Sequence, residues 1–279
     1  MEETHSGQAA QSGGAAGIGI ARLVRSGMIA EGGLKEGERP PIAMLDSNGL
    51  VFEGRDPLDA DKEEFMLRSE DMGTYGFEPG TRYDLETVIR VVKPTVLLGT
   101  SGTQGAFTEG AIREMGAHAP RPVIFPMSNP TSKTEALPAD ILRWTEGRAL
   151  IATGSPFDPV DFEGKEHLIG QANNAFVFPG VGLGVIVSEA REVSDAMFLA
   201  AATKLAELVP ASRVAAGSLY PSPNDLRSVS REIAIEIVRV ARDSGVGRVI
   251  PDEEIPMLVD YSMWDPDYVE YKPAVTEHI

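Results

Sequence analysis

The side chains of this chain that could do chemistry are grouped where short apolar runs end. PIAMLD (41–46) closes on Asp46, TVLLGT (95–100) opens into GTSGTQG (99–105), PVIFPMS (122–128) into SNPTSK (128–133), and ALIATG (149–154) into GSPFDP (154–159). Two further Gly-rich stretches stand apart: GQAAQSGGAAGIGIA (7–21), which flows into a helical apolar pattern, and GQANNAFVFPGVGLG (170–184), which carries the paired amides Asn173 and Asn174. Gly lets backbone N–H groups come close to a ligand, while Ser, Thr and Asn add donors, a provision suited to phosphates and sugar hydroxyls. The same residues also build ordinary turns. One such loop therefore carries little weight, whereas four at successive run ends point to a binding rim.

The opening stretch fits the Gly-x-Gly-x-x-Gly pattern of dinucleotide sites only in part. With Gly17 as the last position, Gly14 is the middle one and Ser12 replaces the first. The pattern needs a strand before it, and MEETHSGQAAQS is not an apolar β-run. Asp46 can accept both hydroxyls of a ribose, although it lies 46 − 17 = 29 positions after Gly17, beyond the usual offset of about 20.

Acid–base and metal signals are poor. His5, His118, His167 and His278 share no ligand spacing, and the acidic run of PDEEIP sends adjacent carboxylates in different directions. Lys133 and Tyr220 could serve as base and acid, yet nothing in the sequence pairs them. The absence of Cys removes disulfides, thiolate metal sites and a Cys nucleophile.

The elements that must position these loops alternate. Between the four runs lie helical patterns, among them Leu85, Val88, Ile89 and Val92 at i, i+3, i+4, i+7, a segment 107–117, and 138–146 with Pro at its first turn. Apolar strands alternating with helices imply an α/β doubly wound parallel sheet, Rossmann-like, with both faces covered. The first strand is expected to be missing, leaving a gap or exposed edge beside 41–46 and hence marginal stability or self-association. After Gly170 the pattern becomes helical, over 181–209 and 229–243, and a short strand is left open near Ile235. The run DADKEEF is expected to be a solvated helix face. The expected organisation is a dinucleotide-binding part (1–171), a helical segment (172–245), and a return to the dinucleotide-binding part with an acidic, aromatic tail (246–279).

Composition limits the partners. A net charge of −17 argues against nucleic acid and anionic membrane. The longest apolar stretch is too short to span a bilayer, and Glu2 and Glu3 stand where a signal peptide would be basic. The expected setting is cytoplasmic.

Taken in order, AAGIGIAR, MLDSNGLVFEGR, KPTVLLGTSGTQGAF, VIFPMSNPTSKTE, ATGSPFDPV, GQANNAFVFPGVGLGV and LYPSPNDLRSVS make the chain similar to the nucleotide-binding part of malic enzymes, which convert malate to pyruvate with NAD or NADP. The resemblance implies that Gly14, Ala16 and Gly17 approach the pyrophosphate. It also implies that Asp46, with Ser47, holds the adenosine ribose. Thr100, Ser101 and Gly102 would line the cofactor cleft, with Asn173 beside it, while Asn129 and Asn174 meet the substrate and the nicotinamide end. The catalytic Tyr and Lys and the acidic ligands for Mg²⁺ or Mn²⁺ lie, in the family, upstream of the Gly-rich turn and are not recognisable here. The expected partners are accordingly malate and pyruvate, with either the catalytic half or further copies of the chain. The competing expectation is a dinucleotide-binding or subunit-interaction module without catalysis, or a remnant that binds nothing.

Among cofactors, NAD is expected over NADP. A 2′-phosphate needs a nearby cation, whereas Ser47, Asn48 and Gly49 follow Asp46 and Glu63 is acidic. Arg55 and Lys62 are the two residues able to overturn that argument by folding back.

Overall fold

The computed structural model describes residues 8–11, 14–55 and 58–265, with the side chains of 8–11 excepted. The first part of the chain runs β1 (Gln8–Gln11), α1 (Ala15–Ala30), β2 (Ile42–Asp46), β3 (Gly49–Leu50), α2 (Ala60–Glu63), α3 (Ser69–Tyr75), α4 (Leu85–Val92), β4 (Val96–Gly99) and α5 (Glu109–His118). It continues with β5 (Val123–Pro126), α6 (Pro138–Trp144), β6 (Leu150–Thr153), β7 (Val160–Phe162), β8 (Lys165–His167) and β9 (Gly170–Gln171). The rest is helical: α7 (Phe178–Ser188), α8 (Asp195–Glu207), α9 (Ala211–Ala215), α10 (Leu226–Asp243) and α11 (Ile255–Ser262).

The main sheet has the order β3-β2-β1-β4-β5-β6-β9 and is parallel except where the two-residue β3 folds back on β2. The four apolar runs thus point the same way, as their pattern requires. The chain moves from β1 to β2 on one side and then to β4 on the other. That reversal makes the carboxyl ends of β1 and β4 a topological switch point, where open α/β sheets bind ligands.

The expectation of a missing first strand is overturned. Residues 8–11 form the central strand, paired in register with both β2 (Ala9 with Ala43) and β4 (Ala9 with Leu97). The sequence argument weighed side-chain hydrophobicity, but a strand flanked on both sides is fixed by two ladders of backbone hydrogen bonds, which any non-proline residue supplies. The gap beside 41–46 does not exist, and the argument for exposed edges there lapses with it.

Local signals set the helix ends. Asp84 accepts from the Thr87 N–H at 2.9 Å and Thr108 from the Ala111 N–H at 3.2 Å, capping α4 and α5. Pro138 begins α6. Leu85, Val88 and Ile89 of α4 join Leu97, Ile112, Met115, Ile124 and Ile141 in the core on one side of the sheet. Ile18 and Ala21 of α1 close the other side over Ile42 and Met44.

The helical expectation for 181–209 needs division. α7 stops at Ser188 because Glu189 takes a left-handed φ of 52°, and Arg191 then donates its N–H to the Val246 carbonyl at 3.1 Å before α8 begins. The Gly-rich stretch read as a tight turn is itself helical from Phe178. Gly180 and Gly184 share one face, and a Cβ on either would lie 2.7 or 2.6 Å from the Cβ of Ile233 or Ile237, so their bareness is what lets α10 come this close. Ile235 is helical and buried, which closes the strand alternative. Beyond residue 245, α11 packs on α7 and α10, with Ile255 and Val259 against Val187, Ile235 and Val238. The rest of the expected tail, 266–279, lies outside the described residues.

Candidate functional site: a rim across the switch point

The carboxyl ends of the strands bring the loop residues to one edge of the sheet. On one side of β1 stands the end of β2 with Asp46. On the other stand Thr100–Gly102 after β4, Ser128 and Asn129 after β5, Ser155 after β6, and Asn173 and Asn174 after β9. Between them begins α1, whose first internal bond runs from the Ile18 N–H to the Gly14 carbonyl at 3.1 Å. The N–H groups of Ala15, Ala16 and Gly17 precede that bond. With the dipole of a 16-residue helix behind them, they suit a pyrophosphate. Ser12 lies outside the described residues.

The Asp46 end is a charged knot. Oδ2 accepts from Arg55 Nη2 at 2.6 Å and Lys62 Nζ at 3.0 Å, and Oδ1 accepts from the Asn48 N–H at 2.8 Å. Arg55 also donates to the carbonyls of Gly49 and Leu50, and Arg82 to that of Ser47. Burial alone would raise the Asp46 carboxyl, but the hydrogen bonds from Arg55, Asn48 and Lys62 outweigh it and hold the carboxyl below the ordinary aspartate range. Lys62 is pushed up in turn, chiefly by its bond to Asp46. The two cations able to overturn the charge argument against a 2′-phosphate have therefore both folded back. The stretch 59–65 is accordingly no simple solvated face: Lys62 is drawn in to Asp46 and Phe65 is buried.

On the other side the geometry is different. Among the described residues the loop 99–105 is not an open cradle of donors: the N–H groups of Ser101, Gly102, Thr103 and Gly105 go to Glu135, Ser128 Oγ, Ser101 Oγ and the Thr134 carbonyl. What it offers is a fixed shape. Asn129, exposed at a cis Asn129–Pro130 bond, accepts from Ser155 Oγ at 2.6 Å through Oδ1. Its Nδ2 lies against Gly154, where a Cβ would fall 2.9 Å from it and 2.1 Å from the Met127 carbonyl oxygen.

Asn173 accepts from the Ala175 N–H at 2.9 Å and caps a short turn, while Asn174 is exposed. The remaining candidates are not brought to the rim as a group. His118 Nε2 lies 2.7 Å from the Pro94 carbonyl oxygen, and His167 is buried, its pKa lowered by that burial. His5 and His278 lie outside the described residues. Burial raises the Tyr220 phenol, and its ring lies near Phe176 rather than at the exposed Lys133. No group of three or more carboxylates or imidazoles among the described residues could hold a metal ion. No helix among the described residues is long and apolar enough to cross a membrane.

Against this geometry, the family described as "Malic enzyme, NAD binding domain" matches residues 8–242, from β1 to the last turn of α10. This chain belongs to the malic enzyme family. The "NAD-dependent malic enzyme" of Sodalis glossinidius and that of Shewanella oneidensis are each 42% identical to it over 259 residues, covering 93% of this chain and 46% of theirs. The chain thus spans about half the length of the curated malic enzymes it matches. Among solved structures, the malic enzyme of Entamoeba histolytica superposes with a TM-score of 0.68 at 21% identity, over 91% of this chain and 47% of that one. The malic enzyme of Pyrococcus horikoshii gives 0.65 at 20% identity, over 91% and 52%. At such identities the agreement concerns the fold.

The residue that sequence reasoning missed is Glu135. It is fully buried, and it ties the loop after β4 to the loop after β5. Its only signal was an acid placed among apolar neighbours in TEALP, a short distance past the Asn-Pro turn.

Proposed function

We propose that this chain is the dinucleotide-binding part of a malic enzyme that oxidatively decarboxylates malate to pyruvate, with NAD as hydride acceptor. The observation that carries the reading is the switch point at β1. A carboxylate for the adenosine ribose stands on one side, an α-helix N-terminus faces the middle, and the exposed Asn129 stands on the other. In this reading the first turn of α1 holds the pyrophosphate, and Asp46 and Ser47 hold the adenosine ribose. Thr100, Ser101 and Gly102 shape the cleft, with Asn173 beside it. Asn129 and Asn174 orient malate against the nicotinamide, which supplies the hydride acceptor when bound. The base that takes the hydroxyl proton, and the divalent ion that polarises the developing ketone, come from the remainder of the enzyme.

The surface available to that remainder is apolar. Phe178, Gly182 and Ile186 follow one another at helical spacing along the outside of α7, just beyond Asn174, with Phe178 66% and Ile186 72% exposed. Exposed aromatic and branched side chains in such an array mark a contact surface. The helical segment 172–245 is proposed to dock there on the catalytic half.

A second reading concerns the cofactor. Arg55 and Lys62 beside Asp46, with Arg82 on the same turn, form a cationic corner in an acidic chain, which suits a 2′-phosphate and favours acceptance of NADP. Titrating the chain with NAD and NADP in parallel decides between the two: tighter NAD supports the first and tighter NADP the second. For the activity, malate-dependent reduction of the dinucleotide is measured with Mg²⁺ or Mn²⁺. The chain by itself is expected to give no turnover, and the chain joined to a malic-enzyme catalytic half is expected to restore it. Clear turnover by the chain alone overturns the assignment of the base and metal to the remainder.

A further inference from the structure

Glu135 is 0% exposed, and no Lys or Arg among the described residues pairs with it. Its charge is met by neutral donors from two different loops. Oε1 accepts from the Ser101 N–H at 2.8 Å, Ser101 Oγ at 2.9 Å and Ser128 Oγ at 2.5 Å, and Oε2 accepts from the Ser128 N–H at 3.2 Å. Its own carbonyl accepts from the Phe107 N–H at 3.0 Å, and that of its neighbour Thr134 from the Gly105 N–H at 3.2 Å. The segment around Glu135 therefore brackets the whole loop after β4.

The chemistry of a carboxylate makes this clasp directional. It only accepts, so both serine hydroxyls must donate to it. Each hydroxyl then has lone pairs left for the next amide: Ser128 Oγ accepts from the Gly102 N–H at 2.8 Å and Ser101 Oγ from the Thr103 N–H at 3.2 Å. That chain of bonds sets the turn of the loop, including the left-handed φ of 65° at Gly102. A glutamine in the same place would set its NH₂ either against the Ser128 N–H or against the three donors that meet Oε1, and a backbone N–H cannot accept from it.

We propose that Glu135 is a positioning residue for the half of the dinucleotide on the β4–β5 side of the switch point, setting the shape of the loop that this half lies against. The proposal rests on the dinucleotide-binding reading above. Because Asp46 lies across β1, the adenosine side is expected to be indifferent to Glu135. A merely structural role would affect both sides alike.

The test titrates the wild-type chain and Glu135→Gln with NAD and with AMP by calorimetry. The expected result is a loss of about tenfold or more in NAD affinity, the size expected for losing hydrogen bonds to a charged acceptor, with AMP affinity unchanged. Equal losses for NAD and AMP, or no loss for NAD, overturn the proposal. Failure of the wild type to bind NAD is a different outcome: it overturns the dinucleotide reading and this inference together. Should Glu135→Gln not fold, judged by circular dichroism, Ser128→Ala is titrated instead. It removes one hydroxyl from the clasp, and the same NAD-against-AMP split is required of it.

Discussion

The two ends of the rim hold a carboxylate in opposite ways. Asp46 sits at the surface edge of β2, its side chain 11% exposed, and is held by two long cationic side chains and one N–H. Glu135 is fully enclosed and held by two serines, through their hydroxyls and their backbone amides. Arg55 and Lys62 reach Asp46 on long rotatable side chains, largely covered, that a competing anion can redirect. Short serines fixed to strand ends cannot move without moving the sheet. The contrast suggests that the Asp46 end is the adaptable one, selecting what binds, while the Glu135 end is the rigid one, fixing where it binds.

The sharpest way to break this contrast is at the rigid end. Gly154→Ala drives a methyl group into the Met127 carbonyl and the Asn129 amide. Overpacking against backbone has no side chain to yield, so a loss of about 3 kcal/mol in urea unfolding is expected. A loss below 1 kcal/mol would show that the end is not rigid.

Next in size is Asp46→Asn. It leaves Arg55 and Lys62 facing an amide, and a loss of about 2 kcal/mol is expected from hydrogen bonds to a charged group in a partly covered site. AMP binding should weaken with it, while unfolding in high salt should narrow the difference from wild type.

Lys62→Ala is gentler. Its ion pair is partly solvated, so less than about 1 kcal/mol of stability is at stake. NADP affinity is expected to fall about tenfold with NAD unchanged, the scale of one charge-assisted contact. Equal effects on the two cofactors would remove Lys62 from the selection.

The Asp46 contribution also has a signature in acid. The Asp46 carboxyl is held below its unfolded value, about 3.9 for an ordinary aspartate, so its contribution is complete above that pH and is lost as pH falls through the lower folded value. Wild type and Asp46→Asn should therefore differ in unfolding free energy at pH 6 and converge towards pH 2. A difference that persists unchanged there would mean that packing, not charge, makes the contribution.

Much of the scaffold was legible because its signals are local. The four apolar runs became β2, β4, β5 and β6, and the helices α4 to α6 lie close to where apolar spacing and the first-turn Pro138 put them. The order of seven motifs pointed to the malic enzyme family, and the matching of residues 8–242 bears that out. The rim residues could be named because polar residues closing apolar strands fall at strand ends wherever the strands lie.

What only the tertiary structure decided has one physical cause: it depends on partners distant in the chain. Gln8–Gln11 carries no apolar signature, yet two neighbouring strands make it the centre of the sheet. Arg55 and Lys62 are 9 and 16 positions from Asp46, and no periodicity says that they turn back to it. Glu135 lies 34 residues from Ser101 and meets it only because β4 and β5 are adjacent. Composition and spacing determine which segments become strands, helices and turns, since those follow from backbone and neighbour preferences. Which charge is neutralised, which amide is engaged and which loop is clamped are settled when the sheet closes, because burial and hydrogen bonding between remote residues exist only in the folded chain.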